Sequence, residues 1–392
     1  MKIIFCDLNK QYLNMKKEID ANINKVLTHC NFINGKEIKE LEDKCAKYIG
    51  VKNAIGTSSG TDALLTSLIA YNIKEGDYII TTPFTFISTA EVISLLKAKP
   101  IFIDICQKTY NINPEKIQKF LDNPIDIITK KPIKRDKIKG IISVNMFGQP
   151  SDYDSIHKIS KKHNLFIIED AAQSFGAEYK GKKSGSLGDI SITSFFPSKP
   201  VGGYGDGGMI FTNNKKLSNK IRQLINHGQT KKYEHIIIGM NNRLDTIQAS
   251  ILLIKLNNFI KNGLAQRNKV ANTYTETLNN IQSNKIITLP FIENTNTTSW
   301  AQYTIQVKQR HKIIKYFKKK NIPFAIHYPK PLHLQKAFQS LGYKKGDFPI
   351  AEKISKHILS LPFDELKTKE EINYICKSLI YINKEWTKWK LK

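Results

Sequence analysis

Lys199 stands in the run Ser194-Phe195-Phe196-Pro197-Ser198-Lys199-Pro200-Val201-Gly202-Gly203-Tyr204-Gly205-Asp206-Gly207-Gly208, where a short apolar stretch gives way to a loop too rich in glycine to pack as core. Such a loop lets a ligand lie against bare backbone. Upstream, Phe166-Ile167-Ile168-Glu169-Asp170 reads as a buried strand that ends in a carboxylate and runs straight into Ala171, Ala172 and Gln173. Taken singly, each group has a plainer reading: an Asp after a strand usually caps a helix, and a loop lysine usually lies on the surface. Paired with the glycine-rich sequel, they are the two groups that pyridoxal phosphate requires. The amine carries the cofactor as a Schiff base, and the acid keeps the pyridine nitrogen protonated so that the ring accepts electrons.

The turn Ser58-Ser59-Gly60-Thr61 suits a phosphate, because free N–H groups and the dipole converge at a helix start and hydroxyls add donors. An ordinary N-cap is the plain alternative. Ser194 brings a further hydroxyl to the same phosphate. Phe86, in Pro83-Phe84-Thr85-Phe86-Ile87-Ser88-Thr89, stacks on a flat ring in one reading and is a core aromatic in the other.

Elements must place these residues along one edge. From about Asn53 onward, short β-branched runs alternate with longer helical stretches, which predicts an α/β fold with a mostly parallel sheet covered on both faces. The runs at 78–81, 101–104, 140–145, 165–169, 190–195 and 208–212 are expected strands, and 61–71 and 155–163 carry helical apolar stripes. In open α/β sheets ligands gather at the carboxyl ends of strands, so Asp170 and Lys199 are expected to face one crevice. A periodic helix over 243–260 separates this part from a second one, with a strand at 300–307 and a helix at 313–320. The division expected is a large domain with an N-terminal arm over 1–258 and a smaller α/β domain over 259–392.

The 392 residues carry a formal charge of +27, which raises the question of nucleic acid. Lysine is dispersed through the whole chain, and helix-turn-helix, zinc-ligand spacing and aromatic-basic interleaving are all missing, so nucleic acid is not expected as a partner. The densest cluster, from Lys130 to Lys137, reads as a solvated loop between strands. Cys6, Cys30, Cys45, Cys106 and Cys376 are widely spaced without a C-x-x-C pair, which predicts neither disulfides nor a metal site and fits the reducing cytoplasm. No apolar stretch reaches the ~18 residues of a membrane span. The closing Trp386-Thr387-Lys388-Trp389-Lys390-Leu391-Lys392 reads as a frayed basic tail.

Four segments, Ser59 to Leu64, Glu169 to Gln173, Ser194 to Gly208 and Gly239 to Ala249, give the chain a family likeness. It resembles the DegT/StrS sugar aminotransferases, fold-type I pyridoxal-phosphate enzymes that aminate keto sugars attached to nucleotides. The likeness runs from Phe5-Cys6-Asp7-Leu8 to Pro331-Leu332-His333-Leu334-Gln335. It implies that Lys199 holds the cofactor, Asp170 pairs with the pyridinium and Gln173 lies near the phenolic oxygen. Gly60, Thr61 and Ser194 would hold the phosphate, and Phe86 would stack on the ring.

The resemblance further implies a homodimer with shared active sites, in which Asn241 reaches the phosphate across the interface and Arg243 meets an acidic group of the substrate. Family members that are dehydratases usually carry histidine at the lysine position, so Lys199 favours transamination from glutamate. His327 and Tyr328 precede two prolines that fix their loop, an arrangement that presents an imidazole and a phenol to sugar hydroxyls; a surface turn is the plain alternative. The stretch from His327 to Gln335 looks more like relatives that aminate C3 than those acting at C4, and Phe196 to Pro200 with Asn241 to Gln248 look like enzymes taking a UDP-2-acetamido-3-keto-hexose, which implies that substrate, destined for surface glycan or lipopolysaccharide. A dTDP-3-keto-6-deoxyhexose, a 4-keto nucleotide sugar and a non-catalytic cofactor-binding regulator remain the alternatives.

Overall fold

Short β-branched runs bounded by turn residues form the core of the molecule, which is described from a computed structural model covering residues 1–282 and 287–390. Strands β1 (Asn53–Thr57), β2 (Tyr78–Thr81), β3 (Lys99–Phe102), β4 (Ile138–Val144) and β5 (Phe166–Asp170) come first, and a short hairpin, β6 (Glu178–Tyr179) and β7 (Lys182–Lys183), follows. Strands β8 (Ile190–Ser194) and β9 (Gly208–Thr212) complete a seven-stranded sheet of order β1-β9-β8-β5-β4-β2-β3. Only β9 runs against its neighbours, β1 and β8; the remaining pairs are parallel. Helices cover both faces, which is why Ile141, Ile142, Ile167, Ile168, Ile190 and Ile192 are all buried rather than alternating in and out.

Beyond the second hairpin, β10 (Gln229–Lys231) and β11 (Glu234–His235), the helix Thr246–Asn258 passes through a π-turn at Phe259–Gly263 into the helix Leu264–Gln282. A smaller antiparallel sheet follows, of β12 (Ile287–Thr288), β13 (Tyr303–Val307) and β14 (Ile358–Leu361). Its core is aromatic: Tyr303 is stacked between Tyr274, at 4.8 Å, and Trp300, at 5.5 Å. No helix among the described residues is long and apolar enough to cross a membrane.

Several boundaries differ from the sequence expectations, each for a visible reason. The strand expected at 101–104 sits at Lys99–Phe102, where it pairs in register with β2; Asp104 instead accepts from Ile350 N and Ala351 N at the start of the helix Pro349–His357. The helix expected from residue 243 begins at Thr246, because Asn242 and Arg243 are drawn into extended contacts with Ser58 and Thr57. Trp300 has φ +50°, so the strand expected from residue 300 begins at Tyr303. The basic loop of Lys130 to Lys137 is solvent-facing as expected, but it joins the helix Pro114–Asp122, rather than a strand, to β4. The terminal helix Lys369–Lys390 carries the backbone of Trp386–Lys390, so that part of the tail is helical; Leu391 and Lys392 lie outside the described residues.

A buried ion pair ties together the elements around the smaller sheet. Arg267 donates to Glu365 Oε2 at 2.6 Å and to the carbonyls of Ser299 and Trp300, and both charged groups are almost fully out of water. Removing one partner of such a pair strands the other charge. Replacing Arg267 with Met is expected to destabilise the fold by about 3–5 kcal/mol, measured as a lowered midpoint in urea unfolding.

Candidate active site

Asp170 ends β5 and Ser194 ends the adjacent parallel strand β8, so both lie on the carboxyl edge of the large sheet. The antiparallel β9 starts at the same edge: Gly208 pairs with Ser194 on one side and with Thr57 of β1 on the other. That pairing brings the turn after β1 against Ser194. The approach is close enough to require glycine twice over. A Cβ on Gly208 would stand 2.4 Å from the Ser59 carbonyl oxygen, and one on Gly60 would stand 2.9 Å from the Ser194 Cβ.

At this edge opens a cavity of about 460 Å3 lined by Gly60, Thr61, Phe86, Asp170, Gln173, Ser194, Lys199, His327 and Tyr328. Nine of the sequence-predicted site residues thus converge. Ser59 caps the helix Gly60–Ala70 by accepting from Asp62 N at 3.0 Å, so the plain N-cap reading holds alongside the placement of Gly60 and Thr61 on the cavity wall. Phe86 is 54% exposed and lies 6.2 Å from Tyr328, so it is not a core aromatic.

The Asp170 carboxylate accepts from Thr89 Oγ1 at 3.0 Å and Ala172 N at 3.1 Å. Burial raises its pKa, and these two bonds and Lys199 oppose the rise. For Lys199 the signs are reversed: burial lowers the amine's pKa and the Asp170 charge opposes it. Glu169, pointing to the other face of the strand, is fully buried and accepts from Asn145, Ser184, Gly185, Leu187 and Ser191. That network anchors the strand end from behind.

Gln173 accepts from Phe147 N at 2.9 Å, which fixes its amide beside Tyr328. His327 Nδ1 lies 2.8 Å from Ser360 Oγ on β14, and burial, reinforced by Lys199, holds its pKa down at about 4. Its imidazole is therefore neutral at physiological pH. Burial pushes the Tyr328 phenol well above its ordinary range.

Asn241 and Arg243 do not line this cavity. Asn241 is exposed, bridged to Asn226, and Arg243 donates to Asn226 Oδ1 at 2.6 Å. Conversely, the cavity includes residues that sequence reasoning missed: Thr85, Ser88 and Thr89 beyond β2, Ser198, Asp206 and Gln302. The first three had a signal, a hydroxyl-rich helix start after a strand, like the one at Ser58 to Thr61. Gln302 had none, and its buried Oε1 has no partner among the described residues.

An amine and a carboxyl on one cavity at the carboxyl edge of an α/β sheet suit a pyridoxal-phosphate enzyme, and the comparisons with known proteins show that class. The chain belongs to the DegT/DnrJ/EryC1/StrS aminotransferase family, whose model matches residues 13–380. It is 42% identical to a UDP-2-acetamido-2-deoxy-3-oxo-D-glucuronate aminotransferase of Pseudomonas aeruginosa, over 96% of this chain and 99% of that one. A pleiotropic regulatory protein of Geobacillus stearothermophilus is 40% identical over 97% of this chain and 98% of its own length. Among solved structures, NtdA from Bacillus subtilis with bound cofactor PMP superposes with a TM-score of 0.88 at 27% identity, covering 98% of this chain and 85% of that one. The protein is a PLP-dependent sugar aminotransferase of fold-type I.

The Thr89 bond stabilises the charged form of Asp170, so its loss raises the carboxyl pKa further. In a Thr89→Val variant the acidic limb of the kcat/KM profile is expected to move to higher pH by about one unit or more, since a hydrogen bond to a charged group contributes about 1.5–3 kcal/mol. A profile unchanged from wild type would remove Thr89 from the site.

Proposed function

We propose that the protein transfers an amino group from glutamate to the C3 keto carbon of a nucleotide-linked sugar, a UDP-2-acetamido-3-keto-hexose used for surface glycan or lipopolysaccharide. The observation that carries the reading is the convergence of Lys199 and Asp170 on one cavity, in a chain 42% identical to an aminotransferase of that substrate class. The cavity fits pyridoxal phosphate by its own features. The turn at Gly60 has no room for a Cβ, hydroxyls of Thr61 and Ser194 stand beside a helix N-terminus, and Gln302, whose buried Oε1 has no partner among the described residues, belongs to the lining.

Gly60, Thr61 and Ser194 would hold the phosphate, Asp170 the ring nitrogen, Gln173 the phenolic oxygen, Phe86 the ring face and Lys199 the aldehyde carbon. The bound cofactor supplies the electron sink that makes an amino-acid Cα–H acidic. Burial keeps the Lys199 amine easier to deprotonate than an ordinary lysine, which suits it to take the proton from Cα of the donor and deliver it on. Neutral His327, fixed by Ser360, and the phenol of Tyr328 hold sugar hydroxyls.

A homodimer completes the site in this reading, with Asn241 and Arg243 reaching the partner's cavity. Support comes from the exposed Tyr233, Ile236 and Ile238 beside that segment, the last 94% open to solvent in the single chain. The division into 1–258 and 259–392 is supported by the separate cluster that Tyr274, Tyr303, Phe317 and Leu379 build around the smaller sheet. The free cysteines accord with a cytoplasmic setting.

Loading the enzyme with glutamate and then offering keto nucleotide sugars that differ at C2, C3, C4 and the nucleotide tests the substrate. The UDP-2-acetamido-3-keto sugar is expected to regenerate the aldehyde form of the cofactor fastest; preference for a dTDP-linked or 4-keto sugar would refute that choice. Lys199→Ala should lose both turnover and the visible absorbance of the loaded enzyme, and normal turnover would sink the assignment. Asp170→Asn should keep some cofactor yet lose activity by about a hundredfold or more.

A further inference from the structure

Away from the active site, a second cavity of about 480 Å3 opens where the segment after β3 meets the smaller sheet. Its walls carry Lys108, Lys308, Lys353 and His357, and no carboxylate among the described residues lines it. The chain's general excess of lysine does not account for this. A neighbouring cavity of about 620 Å3, which shares Lys108, is also lined by Glu115, Asp152 and Glu293. Cations gathered without an anion repel one another, and a polyanion relieves that repulsion.

The same lining includes an aromatic ring. Phe291 is exposed, and the Lys108 ammonium lies over its ring at 5.2 Å from the centroid. An open ring beside a cationic wall is a stacking platform for a base attached to phosphates. His357 Nδ1 lies 2.8 Å from the Lys353 carbonyl oxygen and so donates to it, which leaves Nε2 for the cavity. Gln306, bonded to the Tyr110 hydroxyl at 3.0 Å, adds an amide to the same wall.

We propose that this cavity binds a nucleoside diphosphate, with its phosphates among Lys308, Lys353 and His357 and its base against Phe291. The site is distinct from the one that holds Lys199, with which it shares no lining residue. Its volume falls in the range of small-molecule pockets.

The test is isothermal titration of the full-length, PLP-loaded protein with UDP at low salt, with inorganic pyrophosphate as the second probe. Two UDP per chain are expected for wild type and one for Lys308→Glu/Lys353→Glu, whose turnover stays normal because both lysines are exposed and line a cavity that shares no residue with the one holding Lys199. A UDP stoichiometry that the double variant leaves unchanged overturns the proposal. One UDP in wild type that the double variant abolishes supports the proposal and instead refutes the active site's preference for UDP sugars. Phe291→Ala is expected to weaken UDP at this site about tenfold without affecting pyrophosphate. Equal affinity for UDP and pyrophosphate in wild type would overturn the nucleoside assignment.

Discussion

A buried carboxylate and a half-buried amine, Asp170 and Lys199, share one cavity, and desolvation works on them in opposite directions. It drives the acid towards its protonated form and the amine towards its free base, while the attraction between them resists both changes. Neither group is satisfied by the other: Asp170 takes its hydrogen bonds from Thr89 and Ala172 instead. A cationic ring nitrogen next to Asp170 would restore its charge, and an electrophilic carbon next to Lys199 would use its free base. The two groups are arranged for a ligand that presents both.

Keeping those groups in place falls to the sheet. The parallel pairing of β5 with β8 aligns their carboxyl ends, and the reversed β9 stitches β8 to β1 so that the Ser58 to Thr61 turn lies against Ser194. Behind Asp170, the adjacent Glu169 would be costly if left unpaired in the interior; five hydrogen bonds from three segments offset that cost and immobilise the strand end. Rigidity at the cofactor edge is thus a product of buried polar satisfaction as much as of apolar packing.

Lys199, Asp170, Gln173 and the Ser58 to Thr61 turn were legible in the sequence because each lies where an apolar run breaks into polar or glycine-rich residues, the local mark of a strand's carboxyl end. Thr85, Ser88 and Thr89 belong to the same class of signal, but their relevance depends on the order β5-β4-β2, which brings a remote turn to Asp170. Long-range strand order has no local signature. Gln302 was hidden for the same reason: it enters the cavity beside β13, from the other sheet. The misplaced starts at Lys99 and Thr246 have a related cause, since register with β2 and contacts with Thr57 and Ser58 overrode the local pattern.

The cavity has two contributors that differ in kind. Its cofactor wall comes from the large sheet, whereas His327 and Tyr328 come from a loop tethered to the smaller one through Ser360, with Phe84 packed 6.4 Å from Tyr328 on the other side. Groups that touch the cofactor must serve every amino transfer alike, because they act on the shared reacting centre. In the proposed function, groups on the tethered loop would face the sugar, and a neutral imidazole and a phenol would discriminate by hydrogen bonding, which rejects a sugar lacking the matching hydroxyl more strongly than an apolar wall rejects a wrong shape. On that reading, chemistry and selectivity would be carried by separate elements, the Lys199 edge of the large sheet and the loop tethered to the smaller one.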